Sequence, residues 1–327
     1  EPLIWGRTAR TVMKSRTAIA PCSTANLGPG YDVFGLALDA LEDRVKITTM
    51  RSSTDSNKII IRMLNNQLHI PSEVDLNSAG LVANRMAKDF GIQDRLEVEV
   101  KKGVPAGYGV GSSGASAAAT AVAFNALFGL KLEKSKLVEY AAEGEIASAG
   151  AAHYDNVSAS LLGGFVIAST TGDGRRFIRI EPPKDLVLVV AVPLSMKVPE
   201  KKTEVARSVL PREVSLHKVV HNVSSASTIV AGFAMKDVEM IASGIDDVII
   251  EPARKHLIPG YEQVKKNALG SGALAVTISG AGPSMIAFLK TKGASKNVAR
   301  AMEAGFRNSG LESKTFVCRP STGARVL

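Results

Sequence analysis

A glycine-rich segment in the first half of the chain has residues suited to binding phosphate. Its members are Pro105, Ala106, Gly107, Tyr108, Gly109, Val110, Gly111, Ser112, Ser113, Gly114, Ala115 and Ser116. Glycines let successive backbone N–H groups converge on one point, and the start of a following helix adds partial positive charge. The hydroxyls of Ser112 and Ser113 can supply further donors or a metal ligand. We therefore predict that residues 105–116 form a phosphate loop.

Three other nucleotide-binding patterns share parts of this segment. Gly109, Gly111 and Gly114 satisfy GxGxxG, but the dinucleotide fingerprint also needs a second strand ending in an acidic residue about 20 positions later. Residues 129–136 indicate instead a turn into a polar helix. A Walker loop needs a lysine after its glycines, and a protein-kinase loop needs a lysine on the next strand, where a helix is predicted here. A tight turn without a ligand stays open as the structural alternative.

The elements that must position this segment alternate between strand and helix. Strands are predicted at 17–20, 44–50, 58–64, 96–100, 161–169, 186–192, 274–278, 285–289 and 314–318. Helices are predicted at 77–90, 115–128, 135–146, 219–235, 261–268 and 296–309. Asn77 has the character of an N-cap, and Gly91 and Gly129 that of helix stops. Glycine and proline in residues 21–30 predict a loop, and the second half of the chain begins near residue 182.

Charge and composition exclude several classes of protein. The net charge is +9, but basic residues are scattered and aromatics make up only 5%, so no nucleic-acid partner is expected. The distant Cys22 and Cys318 predict neither a disulfide framework nor a zinc site. The uncharged run between Lys102 and Lys131 contains too many Gly and Ser residues for a membrane span, so no membrane partner is expected. Residues 1–12 lack a signal-peptide pattern, and the expected location is cytoplasmic.

Three motifs, in order along the chain, resemble those of the GHMP kinase family. Residues 105–116 are similar to its phosphate loop, Pro-x-x-x-Gly-Leu-Gly-Ser-Ser-Ala-x-Ser, with Val110 for the usual Leu and Gly114 for the usual Ala. Residues 20–32 (APCSTANLGPGYD) resemble the first motif, and residues 278–284 (ISGAGPS), called here the third-motif loop, resemble the third. Gly280 and Gly282 are expected to let the third-motif loop pack against the phosphate loop.

The form of these motifs resembles one branch of the family. Ser23 stands where many members carry a lysine, and the segment STANLGPG is typical of the branch that acts on homoserine. The segments HYDNV (153–157), KTEVAR (202–207) and IEPAR (250–254) agree with the same branch. The resemblance therefore implies ATP-dependent phosphorylation of the side-chain hydroxyl of L-homoserine, with Mg²⁺.

The resemblance also implies the architecture. It predicts an α+β fold with an N-terminal ATP-binding domain (1–180) similar to the second domain of ribosomal protein S5. A ferredoxin-like C-terminal domain (181–327) would follow, with the active site between the two. Homodimers are common in the family, so a homodimer is expected. Two alternatives stay open: another GHMP kinase of the mevalonate type, and a GHMP-fold sensor that binds ATP without turnover.

On the nucleotide side, the resemblance assigns four further roles. Ser113 and Glu145 would hold Mg²⁺, which prefers a few protein oxygens combined with phosphate oxygens. Thr203 would lie near the phosphates. Asn77 matches a nucleotide-side position, although a plain helix N-cap explains it equally well. Glu145 also has an ordinary alternative as a surface carboxylate near the end of the 135–146 helix.

On the substrate side, the resemblance assigns seven residues, which are Asn26, Asp32, His153, Asp155, Asn156, Arg207 and Arg254. Asp32 would hold the ammonium group, and Arg207 and Arg254 would clamp the carboxylate, since a planar guanidinium suits bidentate pairing. Asp155 or Asn156 would orient the hydroxyl for direct attack, with Glu145 and Arg207 as the other catalytic groups. Positioning can dominate such a transfer without a strong base. The structural alternatives are a solvated arginine, a core histidine and an aspartate that shapes a turn.

Overall fold

The helices and strands come from a computed structural model that describes residues 13–50, 58–66, 69–149, 153–169, 174–199 and 202–327. The strands are β1 (Ser15–Ala25), β2 (Phe34–Met50), β3 (Ile59–Leu64), β4 (Arg95–Lys101), β5 (Phe165–Ser169), β6 (Arg176–Ile180), β7 (Val187–Val192), β8 (Ala275–Ile278), β9 (Met285–Leu289), β10 (Lys314–Cys318) and β11 (Arg325–Val326). The helices are α1 (Ser78–Asp89), α2 (Ser112–Phe128), α3 (Lys134–Glu143), α4 (Ile146–Ala149), α5 (Asp155–Leu162), α6 (Lys202–Ser208), α7 (Leu216–Met235), α8 (Val238–Ser243), α9 (Ile250–Arg254), α10 (Tyr261–Gly270) and α11 (Ser295–Arg307). The expectation about residues 1–12 lies outside the described residues.

The first sheet carries the phosphate loop at the end of its strand β4. Within the described residues it has seven strands in the order β11-β1-β2-β4-β3, with β5 paired to the start of β2 and β6 paired to β5. Strands β3 and β4 run parallel and are joined through α1, whereas the other pairs are antiparallel. Side chains of β4 alternate between buried and half-buried, because one face of the sheet packs against helices. The phosphate loop follows directly after the last residues of this strand.

The second sheet belongs to the second half of the chain. As far as the structure describes it, four antiparallel strands lie in the order β10-β7-β9-β8. One face packs on α10 and α11. The other face shares a core with the first half, in which Leu36 and Val104 meet Phe233 and Ile241. The expected boundary after residue 180 falls between β6 and β7, while the last strand, β11, returns to the first sheet and pairs with β1.

Several sequence predictions of local structure were wrong at one end, including the strand expected at 44–50, which begins already at Phe34. Strand β1 continues through Ala25, where a loop was expected from residue 21, because Ala25 pairs with Gly35 across a bulge-containing ladder. The segment 161–169 begins as the end of α5, and the strand starts only at Phe165, after two glycines with positive φ. The helix expected at 135–146 ends at Glu143, so Glu145 lies in the turn between α3 and α4.

The long uncharged run forms a loop and a buried helix, as predicted. Helix α2 is apolar on all sides because it packs against strands β1 and β2 and against helices α1, α3 and α5. Among the described helices, none combines the length and the apolar character needed to cross a membrane.

Candidate active site

The phosphate loop turns sharply at three glycines. Gly107, Gly109 and Gly111 have φ values of 86°, 79° and 68°, a backbone region that residues with side chains rarely adopt. A Cβ on Gly109 would stand 2.5 Å from the carbonyl oxygen of Gly282, and one on Gly111 would collide with the Ser23 hydroxyl. Gly111 is also the N-cap of α2 and offers no side chain to the first-turn N–H groups. These groups are therefore available to phosphate oxygens.

A buried ion pair, which the sequence analysis did not identify, supports the start of this loop. Asp43 is fully buried on β2 and pairs with the Lys102 ammonium. Its Oδ1 accepts the N–H groups of Gly103 at 2.9 Å and Val104 at 3.0 Å, and its Oδ2 accepts the Ser116 hydroxyl at 2.7 Å. Lys102 further donates to the carbonyl of Ser112, 2.8 Å away. The loop is thus tied at both ends to one carboxylate.

The third-motif loop packs directly on the phosphate loop, as expected. The Ser279 hydroxyl donates to the carbonyl of Gly109 at 2.7 Å, and the Ser284 N–H donates to the carbonyl of Tyr108 at 3.2 Å. The Asn26 amide nitrogen donates to the carbonyl of Gly280 at 2.8 Å. Asn26, one of the predicted substrate residues, thereby joins the first motif to the third.

Glu145 faces Ser113 at the start of α2. The Glu145 side chain is buried, and the pKa of its carboxyl is raised from 4.5 to about 7, chiefly by this burial. Of the smaller contributions to this pKa, the hydrogen bond from the Ser113 hydroxyl lowers it and the charge of Asp155 raises it. No group of three or more His, Cys, Asp or Glu side chains that could hold a metal occurs in the described part of the chain. One carboxylate with one hydroxyl still fits Mg²⁺, because this ion takes most of its ligands from phosphate and water.

A charged pocket, formed by Tyr31, Asp32, His153, Arg207 and Arg254, lies beside these groups. Arg207 Nη2 donates to both oxygens of Asp32, at 2.9 and 2.7 Å, and lies 3.1 Å from His153 Nδ1. Arg254 is buried and donates to the carbonyl of Ala206 at 2.9 Å. Arg207 therefore contacts two other predicted substrate residues, Asp32 and His153, and Arg254 lies in the same pocket.

Tyr31 organises the two arginines and was missed by the sequence analysis. Its ring centroid lies 5.5 Å from the guanidinium of Arg207 and 5.1 Å from that of Arg254. Cations favour such positions over an aromatic face. The residue after it, Asp32, has a positive φ of 57° and donates its N–H to Asn26 Oδ1 at 3.0 Å. The tight turn in the first motif thus presents the ring and the carboxylate side by side.

Asp155 and Asn156 open helix α5 next to the charged pocket. Burial, assisted by the nearby charge of Asp32, raises the pKa of the Asp155 carboxyl from 3.8 to about 6. Asn156 Oδ1 accepts the Ser23 hydroxyl at 3.0 Å. Burial lowers the pKa of His153, and the charge of Arg207 lowers it too. The predicted catalytic carboxylate is therefore a group that titrates near neutral pH.

The two remaining predicted residues lie at the starts of helices. Asn77 caps α1, with its Oδ1 accepting the N–H groups of Ala79 at 3.0 Å and Gly80 at 3.3 Å, and its amide nitrogen donates to the carbonyl of Pro71 at 2.7 Å. Its role as a cap is clear, and a nucleotide contact stays a prediction. Thr203 is the second residue of α6, the helix that carries Arg207.

Two family models match this chain. The model for the GHMP kinases N terminal domain matches residues 77–164, and that for the GHMP kinases C terminal matches residues 229–308. The phosphate loop, Asn77 and Asp155 lie inside the first match, and Arg254 and the third-motif loop lie inside the second.

Curated relatives and solved structures agree with these matches. The chain is 42% identical to the homoserine kinase of Thermoplasma volcanium, over 94% of this chain and 96% of that protein. It is 43% identical to the homoserine kinase of Methanopyrus kandleri, over 82% and 85%. The crystal structure of homoserine kinase from Cytophaga hutchinsonii superposes with a TM-score of 0.88 at 33% identity, covering 96% of this chain and 98% of that one. The predicted GHMP kinase fold is confirmed.

Proposed function

The chain belongs to the GHMP kinase family, and we propose that it transfers the γ-phosphate of ATP to the side-chain hydroxyl of L-homoserine, giving O-phospho-L-homoserine. One observation carries the choice of substrate: a carboxylate and two guanidinium groups meet in a pocket beside Asp155. An amino acid with a terminal hydroxyl presents the complementary ammonium, carboxylate and hydroxyl groups. A mevalonate-type substrate has no ammonium group for Asp32.

The phosphate loop holds the nucleotide through its backbone. The N–H groups at the start of α2 bind phosphate oxygens, and the rigid turns at Gly109 and Gly111 keep them in place without reorganisation. Ser113 and Glu145 would hold Mg²⁺, which would supply positive charge against the phosphate oxygens. Thr203 approaches the phosphates from α6, and Asn77 positions the start of α1 on the nucleotide side.

The amino acid binds in the charged pocket by replacing the ion pair between Asp32 and Arg207. In the free protein, Asp32 and Arg207 neutralise each other. A zwitterion places its ammonium group on Asp32 and its carboxylate on Arg207 and Arg254, so that one ion pair is replaced by two. Burial of Arg254 and its contact with Tyr31 keep the second guanidinium in position before the substrate arrives. His153 and Asn26 close the sides of the pocket.

Asp155 and Asn156 orient the attacking hydroxyl. The bond from Ser23 fixes the Asn156 amide by its oxygen and leaves its nitrogen to donate to the substrate. Asp155 accepts a hydrogen bond from the substrate hydroxyl and holds the hydroxyl oxygen in line with the γ-phosphate. Since the transition state of phosphoryl transfer is loose, this positioning supplies much of the required rate.

The variant Asp155→Asn separates orientation from proton abstraction. It keeps an acceptor oxygen but cannot take a proton, so we expect kcat to fall about tenfold to a hundredfold with the KM for ATP unchanged. Steady-state kinetics between pH 5 and 9 measure both quantities. A loss beyond about a thousandfold, with a wild-type kcat that declines below pH 6, would make Asp155 a general base instead.

The proposed activity is tested by coupling ADP release to substrate. Purified protein is given Mg-ATP with L-homoserine, and mevalonate and L-serine serve as controls. ADP release with homoserine alone supports the assignment. Release with mevalonate keeps the kinase chemistry but rejects the roles given to Arg207 and Arg254. No release with any of the three, combined with tight ATP binding, would favour a sensor that binds ATP without turnover.

We also propose that the protein acts in the cytoplasm as a homodimer paired through α7. Leu216, Val220 and Val223 follow one face of this helix and are 77%, 60% and 60% exposed. A self-complementary apolar face is typical of two-fold interfaces. Light scattering should give twice the chain mass for the wild type and a single chain mass for Val220→Asp combined with Val223→Asp. A wild-type monomer at micromolar concentration would reject the dimer.

A further inference from the structure

Lys202 is a half-buried cation beside the phosphate loop with no role in the mechanism described so far. It is the first residue of α6, directly before Thr203 and five positions before Arg207. Its ammonium donates to the carbonyl oxygen of Gly282 in the third-motif loop. The same oxygen lies 2.5 Å from the place where a Cβ on Gly109 would stand. Lys202 therefore reaches the phosphate loop from the opposite half of the chain.

The surroundings of the Lys202 ammonium suit the binding of an anion. Asp32 pairs with Arg207, and Glu251 on α9 pairs with Lys265. The charge that acts on Lys202 most directly is another cation, Arg254 on α9. Burial and, to a smaller extent, the charge of Arg254 together lower the pKa of Lys202 to about 7. A lysine held in this way binds a proton more strongly once a negative group arrives beside it.

The other titratable groups around Lys202 do not supply that negative group. The third-motif loop has none, and the phosphate loop contributes only the phenol of Tyr108, which donates to the carbonyls of Leu194 and Met196. On α6 itself, the Glu204 side chain is exposed to solvent, and Arg207 is paired with Asp32.

We propose that Lys202 binds the terminal phosphate of ATP and accompanies it during transfer. This inference rests on the proposed kinase function. The terminal phosphate is chosen because it must lie between the phosphate loop and the charged pocket, and α6 connects these two regions through Lys202 and Arg207. On nucleotide binding, the ammonium exchanges the Gly282 carbonyl for a phosphate oxygen. A charge-assisted hydrogen bond of this kind contributes about tenfold to a hundredfold in affinity.

Binding measurements with two nucleotides test the assignment. Calorimetry with Mg²⁺ compares ADP with a β,γ-methylene analogue of ATP, for the wild type and for Lys202→Met, whose side chain has similar length and no charge. We expect Lys202→Met to weaken the analogue about tenfold to a hundredfold and to change ADP less than about threefold. Lys197→Met is the matched control, since Lys197 is an exposed lysine just before α6 and should change neither affinity.

Each outcome separates this inference from the proposed function. A wild type that binds neither nucleotide would reject the kinase assignment itself. If Lys202→Met binds the analogue as tightly as the wild type does, the role of Lys202 is rejected and the kinase assignment stands. Equal weakening of ADP and analogue would mean that Lys202 only holds the third-motif loop, which also overturns a terminal-phosphate contact. Thermal unfolding of the variants checks that the fold is intact.

The dependence of affinity on pH gives a second readout. Above pH 7, free Lys202 loses its proton, so binding of the analogue must take up a proton and should weaken as pH rises, by up to about tenfold per pH unit. The ratio of wild-type to Lys202→Met affinities cancels the ionisation of the nucleotide. That ratio should fall between pH 7 and pH 9, while the ratio of Lys202→Arg to Lys202→Met affinities should stay constant, because arginine keeps its charge. A ratio of wild-type to Lys202→Met affinities near one at every pH would overturn the proposal.

Discussion

The phosphate loop and the charged pocket lie in the same active site but are built on different principles. The loop is tightly constrained: Gly109 fits against the third-motif loop, Gly111 fits against Ser23, and the fully buried Asp43 accepts hydrogen bonds from residues at both ends of the loop. The charged pocket is adjustable, because its central pair, Asp32 and Arg207, leaves about two-fifths of each side chain exposed.

The difference corresponds to the two ligands. Phosphate is recognised by backbone N–H groups, which must be fixed before binding to contribute fully to the transition state. The amino acid is recognised by charges, and a charge without a partner in a pocket is costly. Pairing Asp32 with Arg207 avoids this cost in the free protein. Substitutions in the loop should therefore change both stability and rate, whereas substitutions in the pocket should change substrate affinity alone.

The largest effect is expected for Asp43→Ala. This change leaves the buried Lys102 ammonium and the N–H groups of Gly103 and Val104 without their acceptor, which should lower the free energy of unfolding by about 3–5 kcal/mol. ATP affinity should fall with it, because the loop is no longer held. Urea unfolding and nucleotide calorimetry measure the two effects. Adding Lys102→Met should recover part of the stability but not the affinity. A midpoint of unfolding equal to that of the wild type would show that the loop does not depend on this pair.

A smaller effect, with opposite signs for stability and activity, is expected for Glu145→Gln. In the ligand-free protein, the unfolded chain releases this proton near pH 4.5 and the folded chain near pH 7, so the wild type loses stability as pH rises through this window. The glutamine variant avoids that loss and should be more stable at pH 8, by up to about 3 kcal/mol, and equal at pH 4.

Activity should change in the other direction for the same variant. Glutamine cannot replace the carboxylate toward Mg²⁺, so kcat should fall by about a hundredfold or more. Mg-ATP should raise the unfolding temperature of the wild type more than that of the variant. Thermal unfolding at pH 4 and pH 8, with and without Mg-ATP, checks both parts. A variant less stable than the wild type at pH 8 would show that Glu145 supports the fold rather than the ligand.

What could be predicted from the sequence follows the same division. The phosphate loop was predictable because glycines that need positive φ, two serines and a helix start are contiguous in the chain. The cap at Asn77 is local in the same way and was also found. The ion pair of Asp43 with Lys102 was not, since its partners are 59 residues apart and nothing in the local pattern marks Asp43 as buried. Pairing across the sheet also extended β1 beyond the point where local Gly and Pro signals favoured a loop.

The residues of the charged pocket were named through family resemblance, but their arrangement was not foreseen. The sequence analysis assigned Asp32 and Arg207 to opposite ends of a substrate, whereas in the free protein they bind each other across 175 positions of the chain. Tyr31 was overlooked because its neighbours come from α6 and α9. Such contacts depend on how the two halves pack, which periodicity and turn signals do not encode.

The smallest effect, and the one that isolates the pocket, is expected for Asp32→Asn. Asparagine keeps the size of the side chain but offers no charge to an ammonium group, so the KM for homoserine should rise about tenfold to a hundredfold. The KM for ATP should stay within about threefold, and the unfolding temperature should barely change, because partly exposed ion pairs contribute little to stability. Asp246→Asn, which removes a carboxylate paired with His221 at the surface, is the matched control and should leave both constants unchanged. If Asp32→Asn raised the KM for ATP as strongly as that for homoserine, the pocket and the loop would be mechanically coupled, and the division drawn between them would fail.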